Sequence, residues 1–446
     1  MTTEQHRDNV QPLERRPAGN VAAGLAAAII VATLFLAWIC MRFGLNNPPS
    51  STGDEPFYDS MAWELSRGHG FSVDFTDPDF RRPYDRAAQQ DPDLYSLTPF
   101  DFGPIAHRPP LFSLIGAVGN VAFGRQFWLL RTINVLLMAA TAGILTWYLF
   151  RSTHPLIALL MLVIFVLDQR TRLYARAILT ESMACFLATL LTISLMQLRR
   201  SGKQQWLIAA AVLTGLSVLT RSIVVLWIPG LMLVVFLVLK TRPAEQTLGV
   251  PLRRAFLQSI LFGGIVAALL VPWGIRNVLL LHTFAPMGTQ GLMEMSAGYS
   301  DFAWDSRGVW VNLQSQHFFD HLDTQGLTSA ERELRIGRES SRRAFEWMRQ
   351  HPGRVLPLAL MKMASEFRPR NPIEVLTLIL MLVGLLLCRN EADGRLLIGL
   401  LVINALAIGA TWSVEGRFLV PQLFVIYAAG GIGLQRIKDR CFTRAT

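Results

Sequence analysis

The acid pair Asp54 and Glu55, in GDEPFYDSMA, is the first place in this sequence where reactive groups are concentrated. Two adjacent carboxylates can divide labour, one removing a proton from a hydroxyl while the other orients it or binds a metal. The pair equally suits the first turn of a helix over 56–66, where the helix dipole favours negative charge. Tyr58, one turn on, could position a hydroxyl-bearing acceptor. HRPPLF then places His107 and Arg108 ahead of two prolines. An arginine there can clamp a phosphate through its fork of donors, and a histidine can bind an anion or, with Glu55, a divalent cation. The arginine can also simply meet lipid headgroups. Glu181, in RAILTES, is either a further site acid or a helix-start acid behind Thr180. Arg221 in LTRS, Arg276 in PWGIRN and Arg417 in SVEGRF, with Glu415 beside it, stand at the ends of apolar stretches. Single arginines at such ends snorkel to headgroups; several on one side suit an anionic ligand.

The elements that would carry these groups are membrane spans. Of 446 residues, 52% are hydrophobic and only 17% charged, yet the net charge is +10. That excludes an ordinary soluble enzyme, whose charged share is about a quarter. Ten apolar blocks suit a hydrocarbon layer: 21–41, 127–150, 155–168, 182–198, 206–219, 223–239, 255–281, 372–388, 396–411 and 418–434. The block 111–123 rises only about 20 Å as a helix and is expected to lie in the interface. Block 21–41 is too long for a signal core and has no small-x-small site after it, so it reads as a retained anchor. Short loops bearing Arg199, Arg200, Lys203, Lys240, Arg242, Arg253, Arg254 and Arg389 fall on one side and mark it as cytoplasmic. The charge excess is therefore a topology signal and gives no support for nucleic acid. On this layout a cytoplasmic tail, 1–20, leads into one transmembrane domain, 21–435, and a second cytoplasmic tail, 436–446. The loops 42–126 and 282–371 then face outward with every candidate residue above. Helices are expected over 57–65, 329–351 and 355–367, with an irregular stretch at 84–102. No phosphate-binding glycine loop, HExxH or GxSxG is present, and four scattered cysteines make no CxxC site.

Taken in order, GDEPFYDSMAWELSRGHGFS, HRPPLFSLIGAVGNVAFG, ARAILTESMA, VPWGIRN and EGRFLVPQLFVIYAAGGIG resemble the polyprenyl-phosphate-dependent glycosyltransferases of the GT-C superfamily. The resemblance spans about 25–434 and is strongest to the branch of the protein O-mannosyltransferases and the lipid A aminoarabinose transferases. It implies an all-α polytopic membrane protein with interfacial helices in its first outer loop. It also implies transfer of a sugar, with inversion, from a polyprenyl-phosphate carrier to a hydroxyl of a lipid, glycan or protein, on the outer side of the cell (inner) membrane, facing the periplasm or exterior. On the same basis Asp54 is the base, Arg108 contacts the donor phosphate and Glu181 is the second-loop acid. Read from the residues around them, Glu55 is a further candidate catalytic acid, His107, Arg276 and Arg417 are candidates for the donor phosphate, and Glu415, Arg221 and Tyr58 are candidates for positioning the acceptor. Arg108 replaces the Lys or His that the family often has, and Glu181 replaces an Asp. Some relatives bind a divalent cation and others do not; here Glu55 and His107 are the residues that could contribute ligands. Two other classes compete: a transporter or flippase, which should show broken helices and midplane charges, and a non-catalytic lipid-binding protein, which needs no paired acids.

Overall fold

A computed structural model describes residues 18–42, 44–240 and 252–443. The first seventeen residues of the tail, Arg242 and Arg444 lie outside the described residues. All ten apolar blocks are helical, and the chain is an all-α membrane protein. Among the described residues, six helices are long and apolar enough to cross a bilayer, including Phe127–Ser152, Glu181–Ser201 and Leu252–Leu281. Helix Pro372–Cys388 meets the preceding Pro352–Phe367 at 115°, and Pro155–Leu167 and Gln204–Thr220 are shorter apolar helices. The bundle is apolar outside as well as inside. Phe256, Leu257, Ile260 and Leu279 of Leu252–Leu281 are all exposed, as expected of side chains facing lipid.

The most enclosed span runs from Arg417 to Cys441, with 89% of its apolar window buried. Its run Leu423 to Ala429 is packed on all sides in the main core. Small residues permit this. A Cβ on Gly384 of the neighbouring helix would sit 1.9 Å from the Ala429 carbonyl oxygen, so the two backbones touch, as close helix packing in membranes requires. Arg417 stands at the start of this enclosed span.

The 42–126 segment folds over one end. Helix Glu55–Ser66 begins with Pro56, whose fixed φ suits a first turn, and packs on Leu111–Phe123, with Gly116 against Ala62. The helix Leu111–Phe123 buries Phe112, Gly116 and Ala117 and exposes Leu114, Val118 and Val121. An apolar face turned outward beside an apolar bundle fits an interfacial helix. The expected irregular stretch at 84–102 begins inside a helix, Pro78–Ala88. Asp77 caps it by accepting from the Asp79 N–H, and Phe80 and Tyr84, one turn apart, share its buried face. A two-residue antiparallel ribbon pairs Ser72–Val73 with Gly103–Pro104. The 282–371 segment carries Ser329–Gln350, opened by a capping box between Thr328 and Glu331, and then Pro352–Phe367.

Candidate active site

Five chain positions, more than 350 residues apart at their extremes, meet at one end of the bundle in a single ionic cluster. Asp54 Oδ1 takes Arg108 Nη2 at 2.6 Å, and Asp54 Oδ2 takes Arg417 Nη2 at 2.8 Å. Arg417 Nε also donates to Glu181 Oε1, which receives Arg221 Nη1 at 2.5 Å. Asp54 and Glu181 each stand where a helix begins, but neither carboxylate caps: no side-chain cap bond forms at Asp54, nor at Thr180 before Glu181. Both acids are turned to the arginines instead.

Local sequence explains why these groups converge. Pro109 and Pro110 fix the chain directly after Arg108, and Pro110 starts the interfacial helix. Arg221 and Arg417 each lead a tight 3-10 turn, Ser222–Trp227 and Arg417–Gln422, before a long helix. Gly416 takes φ 92°, and a side chain there would meet the Arg370 guanidinium, so glycine is required for the chain to turn into Arg417. Phe418 lies under Arg221 at 5.2 Å, and Phe57 under Arg108 at 5.6 Å, so each cation has an aromatic face behind it.

The electrostatics are asymmetric. Three guanidinium groups against two carboxylates leave one net positive charge in the cluster. Burial would raise the Asp54 pKa, but Arg108 and Arg417 outweigh it and hold the carboxyl well below the usual range. Glu181 Oε2 and Arg108 Nε are buried without hydrogen-bond partners. Orphaned polar atoms of this kind are rare and call for a ligand or a functional reason.

The other expected residues have different surroundings. Glu55 Oε1 accepts the Ile178 N–H at 2.6 Å, tying the helix that follows Asp54 to the turn before Glu181. His107 Nδ1 pairs with Glu333, whose other oxygen accepts Ala106 N–H at 2.9 Å and Thr289 Oγ1 at 2.8 Å. Glu55 and His107 are thus engaged with different segments, and no group of three or more His, Cys, Asp or Glu suited to a metal is found among the described residues. Tyr58 is buried against Phe112, within electrostatic reach of Asp54 and Glu181. Arg276 is not in the cluster: it donates to Ile105 O at 2.6 Å and Phe71 O at 3.0 Å, strapping the ribbon. Glu415 has an exposed side chain and φ 50°, with its N–H on Ser413 Oγ.

The sequence reading missed three acids around the cluster, all from the 282–371 segment. Glu294 accepts the Trp310 indole N–H at 2.6 Å, and Arg108 and Asp54 are near enough to act on its charge. Glu333 is buried on Ser329–Gln350, and Glu366 is buried on Pro352–Phe367 together with Lys362. Charge on the apolar side of an amphipathic helix was the available signal.

With this geometry in place, comparison with known proteins is informative. Residues 31–284 match the family model of dolichyl-phosphate-mannose-protein mannosyltransferase, more than half of the chain. The chain belongs to this family. A search of curated protein sequences gives no significant match. Among solved structures, the Archaeoglobus fulgidus oligosaccharyltransferase tethered to an acceptor peptide superposes with a TM-score of 0.52 at 12% identity, over 93% of this chain and 50% of that one. ArnT from Cupriavidus metallidurans bound to undecaprenyl phosphate gives a TM-score of 0.42 at 14% identity, over 95% of this chain and 79% of that one. The fold is GT-C, as the sequence motifs implied, and the protein is a membrane glycosyltransferase.

Proposed function

We propose that the protein transfers a sugar from a polyprenyl-phosphate carrier to a hydroxyl of a lipid, glycan or protein acceptor, with inversion, on the extracytoplasmic face of the cell membrane. The observation that carries this reading is the Asp54–Arg108–Arg417–Glu181–Arg221 cluster. Its net positive charge and its partnerless Arg108 Nε suit a donor phosphate, and its partnerless Glu181 Oε2 suits a hydroxyl. An arriving phosphate competes with Asp54 for Arg108 and Arg417. As these cations turn to the phosphate, the Asp54 carboxylate loses the charges that depress its basicity and becomes able to take the acceptor proton. The acceptor oxygen then attacks the anomeric carbon, and the carbon–oxygen bond to phosphate breaks with its electron pair leaving on the phosphate. Arg108 and Arg417 neutralise the charge that develops there, which is where fixed donors contribute most. Glu181 holds Arg417 and Arg221 in place, and Tyr58 lines the acceptor side.

The test is comparative mass spectrometry of lipids, glycans and envelope proteins from cells carrying the intact protein, none, or Asp54→Asn. A glycosylated species present only with the intact protein is expected. Identical profiles in all three, under conditions where the protein is expressed, would contradict the proposal.

A further inference from the structure

Glu366 is a buried acid with an unusual set of partners. It lies on the inner face of helix Pro352–Phe367 with Leu358 and Lys362, spaced four residues apart and all buried. Its Oε2 accepts Ser413 Oγ and the Val414 N–H, both at 2.8 Å, and its Oε1 accepts the Phe418 N–H at 2.6 Å. All three donors belong to one short stretch of chain. That stretch contains Arg417.

The stretch needs an outside hold. Glu415 and Gly416 are consecutive residues with positive φ, 50° and 92°, so residues 414–416, between the Ser413 bridge to Val309 and the 3-10 turn that Arg417 begins, make few repetitive hydrogen bonds of their own. One end is fixed where Ser413 N–H donates to Gly308 O at 2.9 Å and Ser413 O accepts the Trp310 N–H at 2.8 Å. The same helix adds Lys362, whose Nζ reaches Gly409 O at 3.4 Å. Only Glu366, among the described residues, bonds both before and after Arg417, at the amides of 414 and 418. Fixing those two amides sets the direction in which the Arg417 side chain leaves the backbone. It also seats the Phe418 ring under Arg221.

We propose that Glu366 is a positioning residue that aims Arg417 at Asp54 and Glu181, so that the helix Pro352–Phe367 governs the geometry of the reaction centre without touching the substrate. This rests on reading the cluster as a glycosyl-transfer site. The carboxylate spans three donors because it offers two oxygens with several acceptor positions; an amide in its place would point N–H groups at an N–H or leave one orphaned. Displacing a guanidinium that acts on developing charge by about 1 Å is enough to cost around 100-fold in rate.

The experiment compares intact protein with Glu366→Gln, Ser413→Ala and, as a control on the same helix, Ser365→Ala, whose hydroxyl meets Arg307 O instead. Transfer kinetics and amide hydrogen exchange are both measured. In Glu366→Gln, kcat is expected to fall about 10- to 100-fold with the donor KM within about threefold, because a misaimed Arg417 loses charge stabilisation in the transition state more than it loses ground-state binding. Exchange should quicken in the peptide covering 413–418 and not across the bundle. Should Glu366→Gln not fold, Ser413→Ala, which removes one donor and leaves two, should show about a 3- to 10-fold fall in kcat. Ser365→Ala should match the intact protein. A folded Glu366→Gln or Ser413→Ala with unchanged kcat overturns the proposal, as does exchange that rises everywhere in step with lost melting temperature. If the intact protein transfers no sugar, the reading of the site fails, and the exchange measurement alone still decides whether Glu366 holds the 413–418 segment.

Discussion

Arg417→Lys separates charge from geometry at the centre of the cluster. Arg417 meets Asp54 through Nη2 and Glu181 through Nε, two nitrogens of one rigid plane. A lysine keeps the charge but has a single nitrogen on a flexible stem, so it serves one carboxylate at a time. The substitution therefore removes one charge-assisted hydrogen bond, about 1.5 to 3 kcal/mol. If that bond orients the group that stabilises the leaving phosphate, the loss appears in kcat/KM as about 10- to 150-fold at about 1.4 kcal/mol per factor of ten. Arg417→Ala should lose more and should also melt lower, because Glu181 is fully buried and would keep only Arg221. The assay is transfer by purified protein in detergent, with the donor supplied as a synthetic polyprenyl-phosphate sugar, alongside a melting curve for each variant. Arg417→Lys with kcat/KM within threefold of the intact protein would refute the reasoning. So would a loss fully explained by the unfolded fraction.

Other expectations follow from residues whose surroundings differ. With Arg108 and Arg417 holding the Asp54 carboxyl below its ordinary 3.8, the free protein keeps Asp54 ionised throughout the neutral and mildly acidic range. Arg108→Met should therefore shift the acid limb of the kcat/KM profile upward; an unmoved limb would count against the ion pair. Arg276→Met should cost about 1 to 3 kcal/mol of stability by removing two part-buried hydrogen bonds, to Phe71 O, which keeps the Ile105 N–H, and to Ile105 O, and reduce kcat/KM less than Arg417→Lys does. An equal or greater kinetic loss would return Arg276 to the phosphate. Burial pulls Lys362 from 10.5 to about 7, so between those values the unfolded chain binds more protons and stability rises with pH, while below 7 the full penalty is present. Lys362→Met should flatten the melting temperature over pH 7 to 10, and a slope equal to that of the intact protein would show that Lys362 is not its source.

Much of the fold was legible because its signals are one-dimensional. A span is an uninterrupted apolar run, and all ten runs are helices. The same reasoning placed 111–123 in the interface, from length alone. The stretch 84–102 was harder: Pro and Asp density suggests irregular chain, yet Asp77 and Pro78 are a helix start and Phe80 and Tyr84 supply the buried face. Within the site, Asp54, Arg108, Glu181, Arg221 and Arg417 could be grouped from span-end positions and motifs, since a layout that puts them on one side leaves few places for them to go. Arg276 obeys the same rule and still serves the ribbon. Span-end position fixes height along the bundle and not direction around it. Glu333 and Glu366 stayed hidden for a complementary reason. Apart from His107, which meets Glu333, their partners are backbone amides and the hydroxyls of Thr289 and Ser413, and a backbone donor leaves no trace in the sequence.

The most direct test of the central claim is sugar transfer by the purified protein from a polyprenyl-phosphate donor to the acceptor found in the envelope comparison, measured for intact protein and Asp54→Asn. The expected result is transfer by the intact protein and a fall of about 10²- to 10⁴-fold in Asp54→Asn, the usual contribution of a general base, with the variant still folded by its melting curve. Transfer by Asp54→Asn at the intact rate would contradict the assignment of Asp54 as the base and, with it, the reading of the ionic cluster as the reaction centre.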